Sequence, residues 1–377
     1  MSGRTAGGRV QRFWQRVTEG MQLGELWKQF SVEARTSYRL YSQDVDSAQA
    51  AGQSKGRQIF HIARQFMWAV LEKMSPARRV LLLVALAMLF LPLADWIGDS
   101  SAGADHAWMP FHFHFLGGLL MFLLLIMEVG DRVVMKRDLQ IAKEIQAWLL
   151  PSEPPQVPGL EIAFATRPAN TVAGDFYDVF PRPDSHGKWL IAVADVAGKS
   201  MPAALLMATF QASLKTLSGT PGPLPELAAR INQYACTNSQ NGRRFTTAFL
   251  AEFDPATRLL TYVNAGHNSP MLLRRNGTVE RLEAGGMPLG ILEGAPYVSS
   301  ETTLGPGDWL AAFTDGVVEA ENGAQQQYGE DRLLTLLRWG AQLPAASLLQ
   351  SILMDIDRFV NQAPQHDDIT CVLIKGV

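Results

Sequence analysis

Cysteine is nearly absent from this chain: 377 residues contain two, Cys236 and Cys371. That excludes a disulfide framework, and neither residue belongs to a CxxC pair that could hold zinc. Six positions after Cys236 stands Gly242, where a cysteine-dependent phosphatase needs arginine, so packing is the expected role of both thiols. A glycine is missing where a P-loop would require one. Gly198-Lys199-Ser200 is the second half of that motif, but Val193 occupies the position five residues earlier, and Asp195 would stand inside the phosphate cradle. A P-loop NTPase is disfavoured on both counts. Basic residues are absent from two apolar segments, Val80 to Ile97 and Phe111 to Val129, 18 and 19 residues long. Each approaches the ~20 residues of a membrane-spanning helix.

The charges around those segments have a direction. Residues 1–79 hold 13 Lys/Arg against 6 Asp/Glu, and Arg132, Lys136 and Arg137 follow the second segment. The connecting loop holds Asp95, Asp99 and Asp105 and no basic residue. Positive flanks outside both spans place both termini in the cytoplasm. With no intramembrane charge, the hairpin reads as an anchor and not as a transport unit. No nucleic-acid-binding motif accompanies the basic N-terminal region, so nucleic acid is not an expected partner. Residues 57–74 carry an apolar helical stripe that suits either the inner leaflet or the protein's own body. His106, His112 and His114 lie near the loop, but on a helix His112 and His114 point roughly 200° apart, which is poor for chelation.

After the second span, Asp131 to Leu150 reads as one helix ending at Pro151. Val134, Ile141 and Trp148 recur at heptad spacing, the pattern of a linker helix that forms a homodimer or docks on the following domain. From Leu160 the pattern changes to strands and turns. LEIAFAT, WLIAVAD, TTAFLAEFD, LLTYVNAG, WLAAFTD and ITCVLIK are strand-like, with hairpin signals at 183–187 and 254–257. Helices are expected at Pro202 to Leu217, with Ser200 as N-cap, at Pro225 to Ala235 and at Arg332 to Val360. This is an α+β domain of antiparallel sheets with helices outside.

Four places put aspartate beside a strand end or glycine turn: Gly174-Asp175, Asp195, Asp315-Gly316 and Asp367-Asp368. Each alone is an ordinary turn or cap residue. Together they form a set of carboxylates that stays ionised in a fold only with cations among them. All-oxygen ligation suits Mg²⁺ or Mn²⁺ and not zinc. Two such ions can activate water and hold a phosphoryl oxygen, which points to phosphoester hydrolysis.

In order along the chain, AGDFYD, DVAGKSMPAAL, NAGHNSP, FTDGVVEAEN and HDDITCVLI resemble the motifs of the metal-dependent protein phosphatase (PPM) family, in its bacterial sporulation and stress-regulator branch. LQIAKEIQAWLLP resembles that branch's linker helix. The resemblance covers residues 138–377. It implies an αββα sandwich, two Mn²⁺ or Mg²⁺ ions, and hydrolysis of phosphoserine or phosphothreonine. By motif, Asp175, Asp195, Asp315 and Asp367 are the implied metal ligands and catalytic residues. Val196 offers its carbonyl, and Asp368 is a further ligand or a support. Asn264, Gly266 and His267 shape a loop. Ala173 and Ser200 stand where many relatives have glycine, and Arg167 is the candidate for gripping phosphate. The implied substrate is a phosphorylated regulator of the STAS, anti-anti-sigma type in a partner-switching pathway. A sandwich that binds phosphoprotein without hydrolysis is the alternative.

The expected organisation is a basic cytoplasmic region (1–79), two transmembrane helices with a short extracytoplasmic loop (80–130), a linker helix (131–150) and a phosphatase domain (151–377). The chain would then be a multi-pass protein of the bacterial inner membrane with its catalytic domain in the cytoplasm.

Overall fold

The computed structural model describes residues 74–98, 109–183, 187–238, 244–283 and 285–377, and side chains outside 91–112. The stripe at 57–73, His106, the side chain of His112 and the tip of the first hairpin, 184–186, lie outside the described residues.

The chain divides into two compact units, Met1–Val133 and Val134–Val377. In the first, helix α1 (Pro76–Gly98) packs antiparallel to the start of helix α2 (Met109–Leu149). Arg78 reaches Asp131 at 2.6 Å, while Gly117 lies against Ala85 and Leu89. Outward from that seam the helices expose Val80, Leu83, Phe115, Phe122 and Leu125. Within α2, Phe113–Leu149 is long and apolar enough to cross a membrane. The second apolar segment and the linker thus belong to one uninterrupted helix, with no break at 130–131.

The second unit contains two five-stranded antiparallel sheets. One has the order β1 (Leu160–Arg167), β10 (Ile369–Gly376), β9 (Trp309–Phe313), β6 (Met271–Leu273), β7 (Val279–Arg281). The other runs β2 (Phe176–Pro181), β3 (Trp189–Val196), β4 (Thr246–Asp254), β5 (Leu259–Ala265), β8 (Ser300–Thr303). All six strands expected from the sequence are present. β3 and β9 are apolar on both faces because both are covered: one by the opposite sheet, the other by helices.

Between the sheets pack Val193, Phe249, Phe253, Leu260 and Leu310, all fully buried. Each contributes about 1.5–3 kcal/mol by leaving water. Helices α3 (Met201–Leu217) and α4 (Leu224–Asn238) bury Met207, Phe210, Leu214 and Ile231 on the outer face of the second sheet. The outer face of the first sheet is covered by the short α5 (Asp315–Val318), α6 (Glu330–Trp339) and α7 (Ala345–Val360) through Val317, Leu333, Leu348 and Ile352. The layers are therefore αββα.

Two local expectations are corrected. The stretch 332–360 is not one helix: it breaks between Gly340 and Pro344, whose ring cannot continue a preceding helix. Ser200 occupies the N-cap position of α3 but makes no capping hydrogen bond, because its backbone sits at φ 64°, ψ −147°, outside the extended geometry that aims a capping hydroxyl.

Candidate metal centre

Side-chain alternation along the strands builds the site. Ile191, Val193 and Asp195 share one face of β3, the face toward the opposite sheet, so the row that starts as core ends in a carboxylate. Thr247, the cross-strand partner of Asp195, continues the matching row of β4. On the first sheet, Leu310 and Ala312 lead to Thr314, and Ile374 and Val372 lead back to Thr370. Both sheets thus turn polar at the same end of the sandwich.

The five aspartates named from the sequence meet there. Asp195 is pushed up to about 7, first by burial and then by the charges of Asp315, Asp367 and Asp368, with a hydrogen bond to Asp175 partly offsetting them. Asp175 is buried and raised well above its ordinary value, first by burial and then by the charge of Asp195. Asp315 is raised by burial and then by Asp367, and Asp368 is raised chiefly by burial. Among the described residues no three His, Cys, Asp or Glu side chains are already drawn into a ligand shell. The carboxylates are close enough to repel and not yet gathered round a centre. Such a set, oxygen-only and short of positive charge, fits hard divalent cations.

The supports are specific. Asp368 accepts hydrogen bonds from the backbone N–H groups of Ala169 (2.7 Å) and Gly174 (2.6 Å), so its carboxylate ties the loop before Asp175 to the start of β10. Thr314 donates its hydroxyl to Asp175 Oδ2 at 2.9 Å, and Thr370 N–H donates back to Thr314 Oγ1 at 3.1 Å. Two glycines permit the approach. A Cβ on Gly316 would lie 2.0 Å from the Asp368 carbonyl, and one on Gly174 would press on the Val196 carbonyl and Ala203 at 3.1 Å. The Val196 carbonyl therefore sits against the Asp175 loop, while the Val196 side chain is buried.

Asn264 fits its expected role of shaping a loop. Its side chain accepts from His267 N–H at 2.7 Å and donates to the carbonyls of His267 and Leu282. His267 itself is buried, shares a 2.9 Å hydrogen bond with Thr247, and is lowered to about 4 by burial, so it is neutral. Arg167 grips no site residue; both arms of its guanidinium engage Asp357.

Four contributors lie inside the quoted motifs without having been given a role at the site: Thr314, Thr370, Gln146 and Lys199. Thr314 directly precedes Asp315, a position that could have flagged it. Gln146, near the end of α2, is buried and holds Ala173 twice: its Nε2 donates to the Ala173 carbonyl at 2.7 Å and its Oε1 accepts from Ala173 N–H at 2.9 Å. Nothing in the local sequence distinguishes it.

An αββα sandwich with a carboxylate end defines a protein of the PP2C-like class. The sequence profile of the family described as stage II sporulation protein E (SpoIIE) matches residues 185–376, half of the chain, and the chain belongs to that family, within the bacterial metal-dependent serine phosphatase branch. The match includes Asp195, Val196, Asp315, Asp367 and Asp368 and begins after Asp175. Phosphoserine phosphatase RsbU of Bacillus subtilis is 28% identical over 65% of this chain and 72% of its own length. Protein IcfG of Synechocystis sp. is 27% identical over 67% of this chain, which spans 43% of that relative. The solved SiaA-PP2C domain of Pseudomonas aeruginosa superposes with a TM-score of 0.58 at 23% identity, over 65% of this chain and 98% of that one.

Proposed function

We propose that the chain is a membrane-anchored, metal-dependent protein serine/threonine phosphatase. The observation that carries this reading is the excess of carboxylates at one end of the sandwich, where burial and mutual repulsion hold Asp175, Asp195, Asp315 and Asp368 above their ordinary range. Asp175, Asp195, Asp315 and Asp367, with the Val196 carbonyl, would hold two Mn²⁺ or Mg²⁺ ions. Asp368, occupied by backbone donors, keeps the two ligand loops in register. Bound in pairs, such ions supply water activation and charge neutralisation on a phosphoryl oxygen. Thr314 and Thr370 orient Asp175, and no serine or cysteine nucleophile is required.

The phosphoserine activity in the name of RsbU and the motif resemblance support a phosphorylated serine or threonine on a protein, with a regulator of the STAS, anti-anti-sigma type as substrate in a partner-switching pathway. The apolar helix and the positive flanks of the hairpin support a multi-pass position in the bacterial inner membrane, with the sandwich in the cytoplasm.

The linker end of α2 has two faces. Gln146 docks on Ala173, two residues before Asp175, while Val134, Ile141, Ile145 and Trp148 remain exposed. The first face would pass a signal to the metal site; the second suits a homodimer. Removing residues 1–130 without any change in activity or its regulation would sink that coupling.

The deciding assay is phosphate release from a serine-phosphorylated protein pool by the full chain, with and without Mn²⁺, beside Asp195→Asn. Mn²⁺-dependent release that falls about 10³-fold in the variant is the expected result, since a lost metal site removes several kcal/mol of transition-state stabilisation. Mn²⁺ binding without release would favour a phosphoprotein-binding module.

A further inference from the structure

Among the described residues, the five aspartates make one ion pair, with Lys199 in the loop between β3 and α3. Its Nζ lies 3.0 Å from Asp367 Oδ2 and donates a hydrogen bond to the His366 carbonyl at 2.6 Å. Its charge also relieves Asp315. The ammonium therefore stands where the site lacks positive charge. The loop that presents it is strained: Ser200 adopts φ 64°, ψ −147° with no capping hydrogen bond in return, a conformation side chains avoid.

The same ammonium borders a cavity of about 320 Å³, whose wall also carries Arg167 and four carboxylates, Glu319, Glu321, Asp357 and Asp367, so an anion is admitted there only once divalent cations offset that charge. That cavity opens beside the carboxylate end and is large enough for a phosphorylated side chain. Arg167, its other cation, is turned aside onto Asp357.

We propose that Lys199 is a phosphate-binding residue with two alternative partners, resting on the metal reading above. In the metal-free protein it is the counter-ion of Asp367. In the loaded protein Asp367 has a divalent partner, and the ammonium swings on its flexible stem into the cavity, where it takes an oxygen of the phosphoryl group. The exchange is cheap because the pair is half exposed and so is weak, and a lysine reorients as a point charge without losing a fixed fork geometry. Metal binding and phosphate binding are thereby linked: each favours the Lys199 position that suits the other.

The test uses the full chain in detergent, with calorimetric titration of Mn²⁺ and then of inorganic phosphate into the Mn²⁺-loaded protein. Lys199→Gln is expected to bind Mn²⁺ about threefold more tightly, because no ion pair must be broken, and phosphate about tenfold more weakly, because a charge-assisted hydrogen bond is lost. Arg167→Gln, which removes a like charge from the same cavity, is expected to keep Mn²⁺ affinity within about twofold by the same weakness of exposed charge interactions. Unchanged or weaker Mn²⁺ binding by Lys199→Gln overturns the proposal, as does unchanged phosphate binding. Equal tightening by Arg167→Gln would reduce the effect to bulk charge and also overturn it. Asp195→Asn tests the metal reading separately: loss of Mn²⁺ binding upholds it, and parental affinity removes it together with the inference.

Discussion

The β3–β4 pair carries buried charge at both ends, and the two ends are solved differently. At one end Glu252 lies between Arg182 and Lys188, and Arg182 also donates to the Gly222 carbonyl at 2.7 Å. Both carboxylate oxygens of Glu252 are thereby engaged. At the other end five aspartates share one lysine. One end is met by the protein's own cations; at the other, aspartates brought from the ends of β3, β9 and β10 and from the loop before β2 are, Asp175 aside, less deeply buried and have a single lysine among them. A buried ion group completed by side chains holds a fold together, whereas one left incomplete is a binding site in waiting.

The contrast can be broken from either side, and the largest effect belongs to the closed end. Arg182→Ala leaves the buried Glu252 with only the half-exposed Lys188 and is expected to cost about 2–3 kcal/mol, read as a lower denaturant midpoint, with Mn²⁺ affinity of the folded protein unchanged. Asp195→Asn should do the reverse: metal-free stability maintained or raised at neutral pH, and Mn²⁺ binding lost.

A sharper version uses pH. In the metal-free fold Asp195 titrates near 7, against an ordinary value of 3.8. The folded state therefore holds the proton more tightly than the unfolded chain, so this group's contribution is fully present below about 4 and is lost as pH rises through 7. The parent should lose stability relative to Asp195→Asn between pH 5 and 7.5. The buried neutral His267 contributes the opposite slope between 6.5 and about 4, and it cancels in the difference. Saturating Mn²⁺ should stabilise the parent more at pH 7.5 than at pH 5, where protons compete for the same oxygens. Parallel pH profiles for parent and variant would refute the shared carboxylate field.

The smallest effect concerns strain at the open end. Ser200→Gly relieves a backbone conformation that side chains avoid and should add about 1 kcal/mol, a rise of about 2–4 °C in thermal midpoint for a domain of this size. No change would mean that the strain is taken up elsewhere.

What the sequence revealed follows from the same contrast. β3 and β9 were legible because apolar runs stopped abruptly on polar residues, and that abruptness is the site. β2 was hidden because its start, Phe176-Tyr177-Asp178, overlaps the acidic motif. The short β6, β7 and β8 have three or four residues each, too few to display a period. The aspartates could be named but not their supports: Gln146 and Lys199 matter through partners 27 and 168 positions away, which local pattern does not encode. Lys199 entered the sequence reading as part of a rejected phosphate loop. Ser200 was read from residue type, and its backbone decided otherwise.

The pairing of β1 with β10 has a consequence during translation. Leu160 finds its partner at Gly376, and Gly174, next to Asp175, must await Asp368. A ribosome adding 5–20 residues per second needs roughly ten to forty seconds to travel from one strand to the other. Throughout that interval β1 has an open edge and the aspartates have no common site. A product that stops before β10 would lack both the partner of β1 and the carboxylate that holds the loop before Asp175.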